Sequence, residues 1–363
     1  MTDLLTALCS IPTAPFVETR VVAFVEQFVR DRRKHLTLSR DKFGNLLIAT
    51  KWRGPTKTPR WVFTAHMDHP GFVAGRMTTP RTLEAVFHGG VLSDYVKGAK
   101  VIFFTDADEE IRGRVTEIVE EDRGYPTKVL LKVTAAVPEG ALGMFDVGEG
   151  RVRGKQFHSR VCDDLAGAAA ALVMLDQIAG KRLKSPVAVL LTRAEEVGFV
   201  GAIAAVTAKP SLLRKTDRLV AIECSAKQPY APQGGGCIVR VGDRTSVFNS
   251  AISYFITEQA DKLAKDDKTF KSQRALMPGG TCEATVYDAW NYLAGSICVA
   301  LGNYHNMDKD RKKIAAENID LNDWKSMVKL FVAVATNGHE FDPEMKGLKG
   351  RLKKRFEGCR KLL

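Results

Sequence analysis

The most informative apolar run is Val187–Leu191, a β-branched segment that follows Pro186 and precedes polar residues. Its length and composition predict a buried strand. Two adjacent carboxylates, Glu195 and Glu196, come shortly after its end. Open α/β sheets bind ligands beyond the carboxyl ends of their strands. Because adjacent residues there point in different directions, one glutamate can bind a metal while the other faces a substrate. An acidic turn before a helix fits the same pattern.

Apolar and polar spacings predict further strands and helices on both sides of this run. Residues 3–35 have helical spacing, which Pro12 and Pro15 interrupt. Further predicted elements are the strands Trp61–Ala65, Leu219–Ile222 and Gly295–Leu301 and the helices Asp164–Ile178, Ser246–Lys265 and Asp320–Ala335. Histidines and acids follow the apolar strands or precede the helices: His66, Asp68, Asp163, Glu223 and His305.

Between residues 76 and 157 the pattern changes. Short β-rich runs alternate with glycine, proline and acidic turns, and no convincing helix is present. This pattern is typical of a small all-β sandwich or barrel. Because strand and helix alternation resumes at Val161, we predict an α/β domain formed by residues 1–75 and 158–363, with residues 76–157 as an inserted β domain.

The composition is that of a globular protein large enough for a sizeable core and two domains, with 363 residues, 45% hydrophobic and 26% charged. No apolar run reaches the length of a membrane span, and the N-terminus lacks the basic segment of a signal peptide. Seven cysteines without a Cys-x-x-Cys pair are typical of a reducing compartment. We therefore expect a cytoplasmic protein with no membrane partner.

The formal net charge is +12, and much of the late excess lies in residues 346–361. A run of this kind can contact nucleic acid or acidic partners. No recognition motif or patch with interleaved aromatic residues accompanies it. We interpret it as a solvated helix face or a subunit contact, and we do not expect nucleic acid as a partner.

The histidines and carboxylates together indicate a metal site. Imidazole and carboxylate ligands suit Zn²⁺, Co²⁺ or Mn²⁺ better than copper or an iron–sulfur cluster. One catalytic zinc takes three protein ligands, whereas five ligands with a central carboxylate suit two ions about 3.5–4 Å apart. Asp68 follows His66 by two residues, so it can accept the second imidazole N–H. We interpret Cys162, Cys224 and Cys282 as small buried hydrophobes and not as ligands.

Five motifs carry a family resemblance: Asp41–Leu46 (DKFGNL), His66–Gly71 (HMDHPG), Asp163–Gly167 (DDLAG), Glu195–Ala202 (EEVGFVGA) and Gly279–Thr281 (GGT). In this order they resemble the co-catalytic metallo-aminopeptidases of the glutamyl-aminopeptidase, or deblocking and tetrahedral aminopeptidase, family. The resemblance covers nearly the whole chain, and the β insert falls where that family has one. It implies a zinc-aminopeptidase-like α/β fold, with a mixed sheet sandwiched by helices and an inserted barrel-like domain.

The resemblance also implies two divalent ions, zinc or else cobalt or manganese, with five ligands: His66, Asp163, Glu196, Glu223 and His305. Asp163 would bridge the ions, Glu195 matches the general base, and Asp68 is the second catalytic residue. The implied reaction is hydrolysis of the N-terminal bond of a peptide by a metal-bridging hydroxide. Relatives form dodecamers or dimers, so we expect a homo-oligomer.

Two other functions and several other residues remain open at this point. A related di-zinc deacylase or carboxypeptidase shares the ligand order, and a non-catalytic binding protein could keep the fold. His339 is an alternative to His305, while His69 and His158 are reserves that we interpret as structural. Glu317 is a candidate for the acid that follows the late histidine in the family.

Overall fold

The computed structural model describes all 363 residues. Its strands are, in chain order, β1 (Leu36–Arg40), β2 (Leu46–Thr50), β3 (Trp61–His66), β4 (Gly71–Thr79), β5 (Thr82–His88), β6 (Lys100–Phe104), β7 (Glu110–Asp122), β8 (Tyr125–Val133), β9 (Leu142–Phe145), β10 (Arg151–Arg153), β11 (Gln156–Ser159), β12 (Val187–Thr192), β13 (Arg218–Ala226), β14 (Cys237–Gly242), β15 (Ser272–Leu276), β16 (Leu293–Gly302), β17 (Met307–Asp308), β18 (Lys313–Ile314) and β19 (Glu317–Asp320). The α-helices are α1 (Thr2–Cys9), α2 (Thr19–Asp31), α3 (Ser93–Val96), α4 (Leu165–Ile178), α5 (Val200–Thr207), α6 (Ser250–Asp266), α7 (Glu283–Ala289), α8 (Leu321–Asn337) and α9 (Lys346–Cys359). Short 3₁₀ turns lie at Tyr304–Asn306, Gly338–Glu340 and Arg360–Leu362. No helix has the length and apolar character needed to cross a bilayer.

Eleven strands form one mixed sheet in the order β1-β2-β12-β3-β13-β16-β19-β11-β10, with β14 and β15 attached beside β16. The central strands β12, β3, β13 and β16 are parallel, so their carboxyl ends share one edge of the sheet. Every residue of β3 and β12 is buried. Such continuous apolar strands are expected where helices cover both faces of a parallel sheet.

Alternate side chains of β3 enter two cores on opposite faces of the sheet. Trp61 and Phe63 join the larger core, which includes residues of α4 and α8, whereas Val62 joins residues of α5 and α7. Helix α4 packs between the sheet and the helices α1 and α8. Its run of small residues, Ala168–Ala171, is fully buried and lets these elements approach closely.

Strands β4 to β9 form a closed barrel in the order β4-β5-β8-β7-β6-β9. Its core contains four phenylalanines: Phe72, Phe87, Phe103 and Phe145. These features confirm the α/β fold with an inserted barrel. The barrel strands run from Gly71 to Phe145, and β10 and β11 belong to the main sheet. That residues 76–157 form a separate domain remains a prediction.

Most elements predicted from apolar spacing are present, with shifted ends. Helix α6 begins at Ser250 and not at Ser246, because the Asn249 side chain accepts a hydrogen bond from the Ile252 N–H at 3.1 Å and caps the helix there. The preceding residues turn back, so that Val247 bridges to Gly242. The short elements β14, β15 and α7 were not predicted.

Candidate metal centre

His66 is the last residue of β3, and its imidazole is almost fully buried. Its Nδ1 lies 3.1 Å from the main-chain oxygen of Asp68, which can only accept a hydrogen bond. Nδ1 therefore holds a proton, and Nε2 is the nitrogen available to a metal. Without a metal, burial opposes the charged form of His66, but Glu195 and Asp163 outweigh it and raise the pKa well above its usual range. That Nε2 lies 3.6 Å from Oδ1 of Asp163. His66 is thus oriented as a ligand would be.

The Asp68 carboxylate has a different partner from the one predicted. Its oxygens accept the main-chain N–H groups of Glu195 at 2.9 Å and Glu196 at 3.0 Å. Its Oδ1 lies 3.6 Å from Nδ1 of His66, too far for a hydrogen bond. The carboxylate of Asp68 is hydrogen-bonded to the amides of Glu195 and Glu196. The imidazole of His66 is therefore oriented by the main-chain oxygen of Asp68 instead. Asp68 therefore holds the Glu195–Glu196 turn in place.

Asp163 lies between the two predicted histidine ligands. Its Oδ1 faces Nε2 of His66 at 3.6 Å, and its Oδ2 faces Nε2 of His305 at 3.9 Å. Three groups with ligand atoms within 4.8 Å of one another contain this residue. Two of them consist of predicted ligands, namely His66, Asp163 and Glu223 in one and Asp163, Glu196 and His305 in the other. The third joins Asp163 to Asp164 and Cys224. All five predicted ligands are therefore brought together around one carboxylate.

His305 follows β16 in a left-handed turn, with φ of 53°. Its Nδ1 donates to the main-chain oxygen of Gly90 at 2.9 Å, which leaves Nε2 facing Oε2 of Glu196 at 3.2 Å. Tyr304 stacks on the imidazole, with ring centroids 3.8 Å apart. The second histidine therefore has the same arrangement as His66, with one nitrogen fixed by main chain and the other directed at carboxylates.

Glu195 lies beside both groups, with its Oε2 4.0 Å from Nε2 of His66. Burial raises the pKa of its carboxyl well above the usual range, and His66 only partly opposes that effect. A carboxyl with a raised pKa can take up and release a proton nearer neutral pH. This is the environment expected of a general base.

The electrostatics of the cluster indicate that a cation belongs there. Burial raises the pKa of Glu223 to about 8, and Asp163 adds to the effect. Burial disfavours the charged form of His305, but Glu196 outweighs it and raises that pKa to about 9. Without a metal, protons bound to Glu223 and His305 therefore partly neutralise the negative charge of the carboxylates.

The donor set fits a divalent metal. Oε1 of Glu196 and Oε1 of Glu223 are buried without a hydrogen-bond partner. Unpaired buried carboxylate oxygens are strongly unfavourable unless a positive charge compensates them. The charged partners of Asp163 and Glu196 within 4 Å are imidazoles, with no lysine or arginine. Imidazole nitrogen and carboxylate oxygen are ligands for zinc and similar ions.

Residues 132–330 match the M42 glutamyl aminopeptidase family. The matched segment includes three of the motifs above and more than half of the chain. The chain belongs to the M42 glutamyl aminopeptidase family. It is therefore a metal-dependent aminopeptidase, a hydrolase, which agrees with the first of the functions that the sequence suggested.

Solved structures share the fold of this M42 chain. Aminopeptidase APDkam598 from the archaeon Desulfurococcus kamchatkensis is 21% identical, with a TM-score of 0.76 over 94% of this chain and 95% of that one. The TET1 peptidase of Pyrococcus horikoshii is 20% identical, with a TM-score of 0.73 over 92% and 98%. Among curated proteins, none matches. At these identities the likeness concerns the fold.

Three acids of this M42 site were missed or only suggested by the sequence. Glu317 accepts the N–H groups of Cys162 at 2.7 Å, Asp163 at 3.1 Å and His305 at 2.9 Å, so it joins two ligand segments. Both carboxylate oxygens of Asp164 are buried without a partner. The carboxylate of Glu283 accepts from the hydroxyl groups of Thr192 and Tyr287. Two of them had a sequence signal: Glu317 by its position after His305, and Asp164 by its place in the DDLAG motif, although no role was assigned to Asp164.

A small cavity of about 20 Å³ adjoins Glu223 and is lined by Arg240, Thr281 and Tyr304 among others. Arg240 is buried and donates to Oγ of Ser225 at 3.2 Å. Nothing in the spacing of apolar residues marked Arg240, because it lies on β14, which was not predicted. The cavity places a guanidinium beside the metal centre.

The other candidate residues lie outside the two ligand groups. Both nitrogens of His69 are engaged, with the main-chain oxygen of Asp163 at 2.8 Å and Oδ1 of Asn306 at 3.0 Å. His339 contacts Nζ of Lys184 at 3.3 Å, and His158 lies on the strand β11. The three cysteines considered earlier are buried, and burial raises the pKa of each thiol, which favours the neutral form: Cys162, Cys224 and Cys282.

Proposed function

We propose that the chain hydrolyses the N-terminal peptide bond of peptides with two divalent ions. His66, Asp163 and Glu223 would hold one ion, and Asp163 would be shared with a second group. That second group contains Glu196 and His305. The observation that carries the proposal is the position of Asp163, whose two oxygens face different histidines.

Two ions bound there would acidify a water to a pKa near 7 and supply positive charge for the scissile carbonyl oxygen. Glu195 would accept the proton of the attacking water on its carboxylate and return it to the departing amine. Asp68 accepts hydrogen bonds from the amides of Glu195 and Glu196. It therefore fixes the positions of the proposed base, Glu195, and of the proposed ligand, Glu196. We propose zinc as the metal, with cobalt and manganese as alternatives.

A reconstitution experiment tests this proposal. The metal-stripped protein is dialysed against Zn²⁺, Co²⁺ or Mn²⁺, bound metal is counted by mass spectrometry, and aminoacyl-p-nitroanilides are screened. We expect two ions per chain and release of nitroaniline from substrates with a free α-amine. Blocking that amine with an acetyl group should abolish release. A single bound ion at full activity would contradict the two-ion proposal.

We also propose a homo-oligomer in the cytoplasm. Solved relatives are described as a dodecamer and as a tetrahedron or large octahedral shell. All seven cysteines of this chain are free, as in proteins of reducing compartments. Light scattering after gel filtration tests the assembly, since a mass of 39.9 kDa would identify a monomer.

A further inference from the structure

Three turns meet at the edge of the main sheet opposite the metal centre. They are the turn between α2 and β1, the segment after β2, and the turn between α4 and β12. Strand β2 runs antiparallel to β12, and Ala49 near its end pairs with Ala188 near the start of β12. Leu36, the first residue of β1, pairs with Thr50. The sheet register therefore brings segments distant in sequence to one place.

These turns line a solvent-open cavity of about 760 Å³. This volume lies within the range of about 300–1,000 Å³ typical of small-molecule sites. No aspartate or glutamate is among the residues that line it, but six side chains are cationic: Lys34, Lys51, Arg53, Lys181, Arg182 and Lys184. We refer to it as the basic cavity.

The charges of the basic cavity are not compensated within the protein. None of the six side chains forms an ion pair, and Nζ of Lys184 contacts only Nε2 of His339, at 3.3 Å. Two neighbouring acids are already paired outside the lining, Asp176 with Arg32 at 2.6 Å and Glu340 with Lys262 at 2.9 Å. Several unpaired cations around one concave space create a positive potential that attracts anions. A second group of cations lies on the barrel and includes Lys100, Arg112 and Arg114. It differs from the basic cavity because Arg112 is paired with Glu110 at 3.0 Å.

Trp52 adds a fixed aromatic surface to the lining. Its Nε1 donates to the main-chain oxygen of Pro55 at 3.1 Å. Its ring covers Gly54 so closely that a Cβ at that position would lie 2.2 Å from the ring. Aromatic rings beside cations provide stacking surfaces for nucleobases while the cations contact phosphates.

We propose that the basic cavity binds a small polyphosphate anion, supplied either by a nucleoside triphosphate or by a short inorganic polyphosphate. Lys181 and Arg182, on the turn before β12, contact the phosphates together with Lys51 and Arg53 from the turn after β2. The site is separate from the metal centre, since β12 lies between them. It does not depend on the proposed function.

Binding is measured by calorimetry on the metal-loaded protein at low salt, with magnesium in excess and with either inorganic tripolyphosphate or ATP. The test variant is K181E/R182E, and the control is K353E/K354E on α9, which changes the net charge equally. We expect the test variant to bind about tenfold more weakly or worse, and the control to match the unmodified protein. Melting temperatures establish that each variant is folded, and K51E/R53E is a second test variant should the first not fold.

No binding of either anion, or equal weakening in the test and control variants, overturns the proposal. The two sources of phosphate are separated by Trp52→Ala. If this change weakens ATP binding and leaves tripolyphosphate binding unchanged, the ligand is a nucleotide. If both are unchanged, the site binds the phosphate chain alone. Peptidase activity should be the same in all these variants.

Discussion

Asp163 is common to both groups of proposed ligands, and its two oxygens face two different histidines. Replacing it by asparagine keeps the shape but removes the charge and leaves one oxygen as a ligand. We expect Asp163→Asn to lose about one metal equivalent per chain, counted by mass spectrometry after dialysis. Asp146→Asn, on the barrel, is the control and should keep the full complement. Two ions held by Asp163→Asn with unchanged affinity would exclude a bridge.

Glu195 has a separate role from its neighbour Glu196, although the two are adjacent. We expect Glu195→Gln to reduce kcat by about 10²–10⁴-fold, because the amide cannot accept a proton. Its metal content and melting temperature should match the unmodified protein. Glu196→Gln should instead lose metal. The measurement is nitroaniline release together with metal analysis, and near-normal turnover in Glu195→Gln would exclude the base.

The sequence could indicate these residues because each stands at the end of an apolar run. His66 and Glu223 belong to strands that the apolar pattern predicts, and the parallel order brings them to one edge. Spacing alone could not assign the partner of Asp68, because its carboxylate is held by amides more than one hundred residues away. Arg240 was missed because its strand, β14, was not predicted, and because the residues around it come from separate segments.

Helices and strands were predicted well where one side is buried, because burial imposes a regular spacing of apolar residues. They were predicted poorly where that spacing is absent. Helix α8 has a continuous buried side, and its start at Asp320 is marked by a cap that accepts from Asn322 and Asp323. The helix α7 has only seven residues, and β15 has a single buried residue. Such short or solvated elements carry too few apolar positions to reveal a period.

Helix α9 has no buried residue, so it should contribute little to the stability of the fold. We expect a chain that ends after Met345 to melt within about 2 °C of the full chain, since exposed residues contribute little to folding free energy. Calorimetry provides the comparison. A similar deletion within α8, which packs on the core, should prevent folding. A large fall in melting temperature on removing α9 would contradict this expectation and show that its contacts, such as those of Arg351 with Tyr254 and Glu258, stabilise the fold.

Metal removal should affect the whole molecule in a pH-dependent way. Without metal, His305 keeps its proton up to a pKa of about 9, against an ordinary value of 6.5. Its stabilising effect is therefore complete below pH 6.5 and lost as the pH rises through 9. Glu223, with a pKa of about 8 against 4.5, acts in the same direction, because the folded state again binds more protons than the unfolded chain.

We therefore expect the stripped protein to lose stability steadily between pH 6.5 and 9. Metal binding requires the deprotonated ligands, so it strengthens over the same interval. The difference in melting temperature between loaded and stripped protein should grow as the pH rises, measured by calorimetry at constant ionic strength. A difference that shrinks with pH would contradict the protonation states assigned to this cluster.

The contact between Gly90 and His305 has a consequence for protein engineering. Gly90 follows the barrel strand β5, and its carbonyl oxygen anchors the imidazole that serves the second ligand group. A Cβ at Gly90 would lie 3.3 Å from Nδ1, so even alanine would press on that ring. The barrel is therefore not an appendage that can be excised to make a smaller catalyst. A shortened enzyme would have to retain this carbonyl or supply a substitute acceptor at the same place.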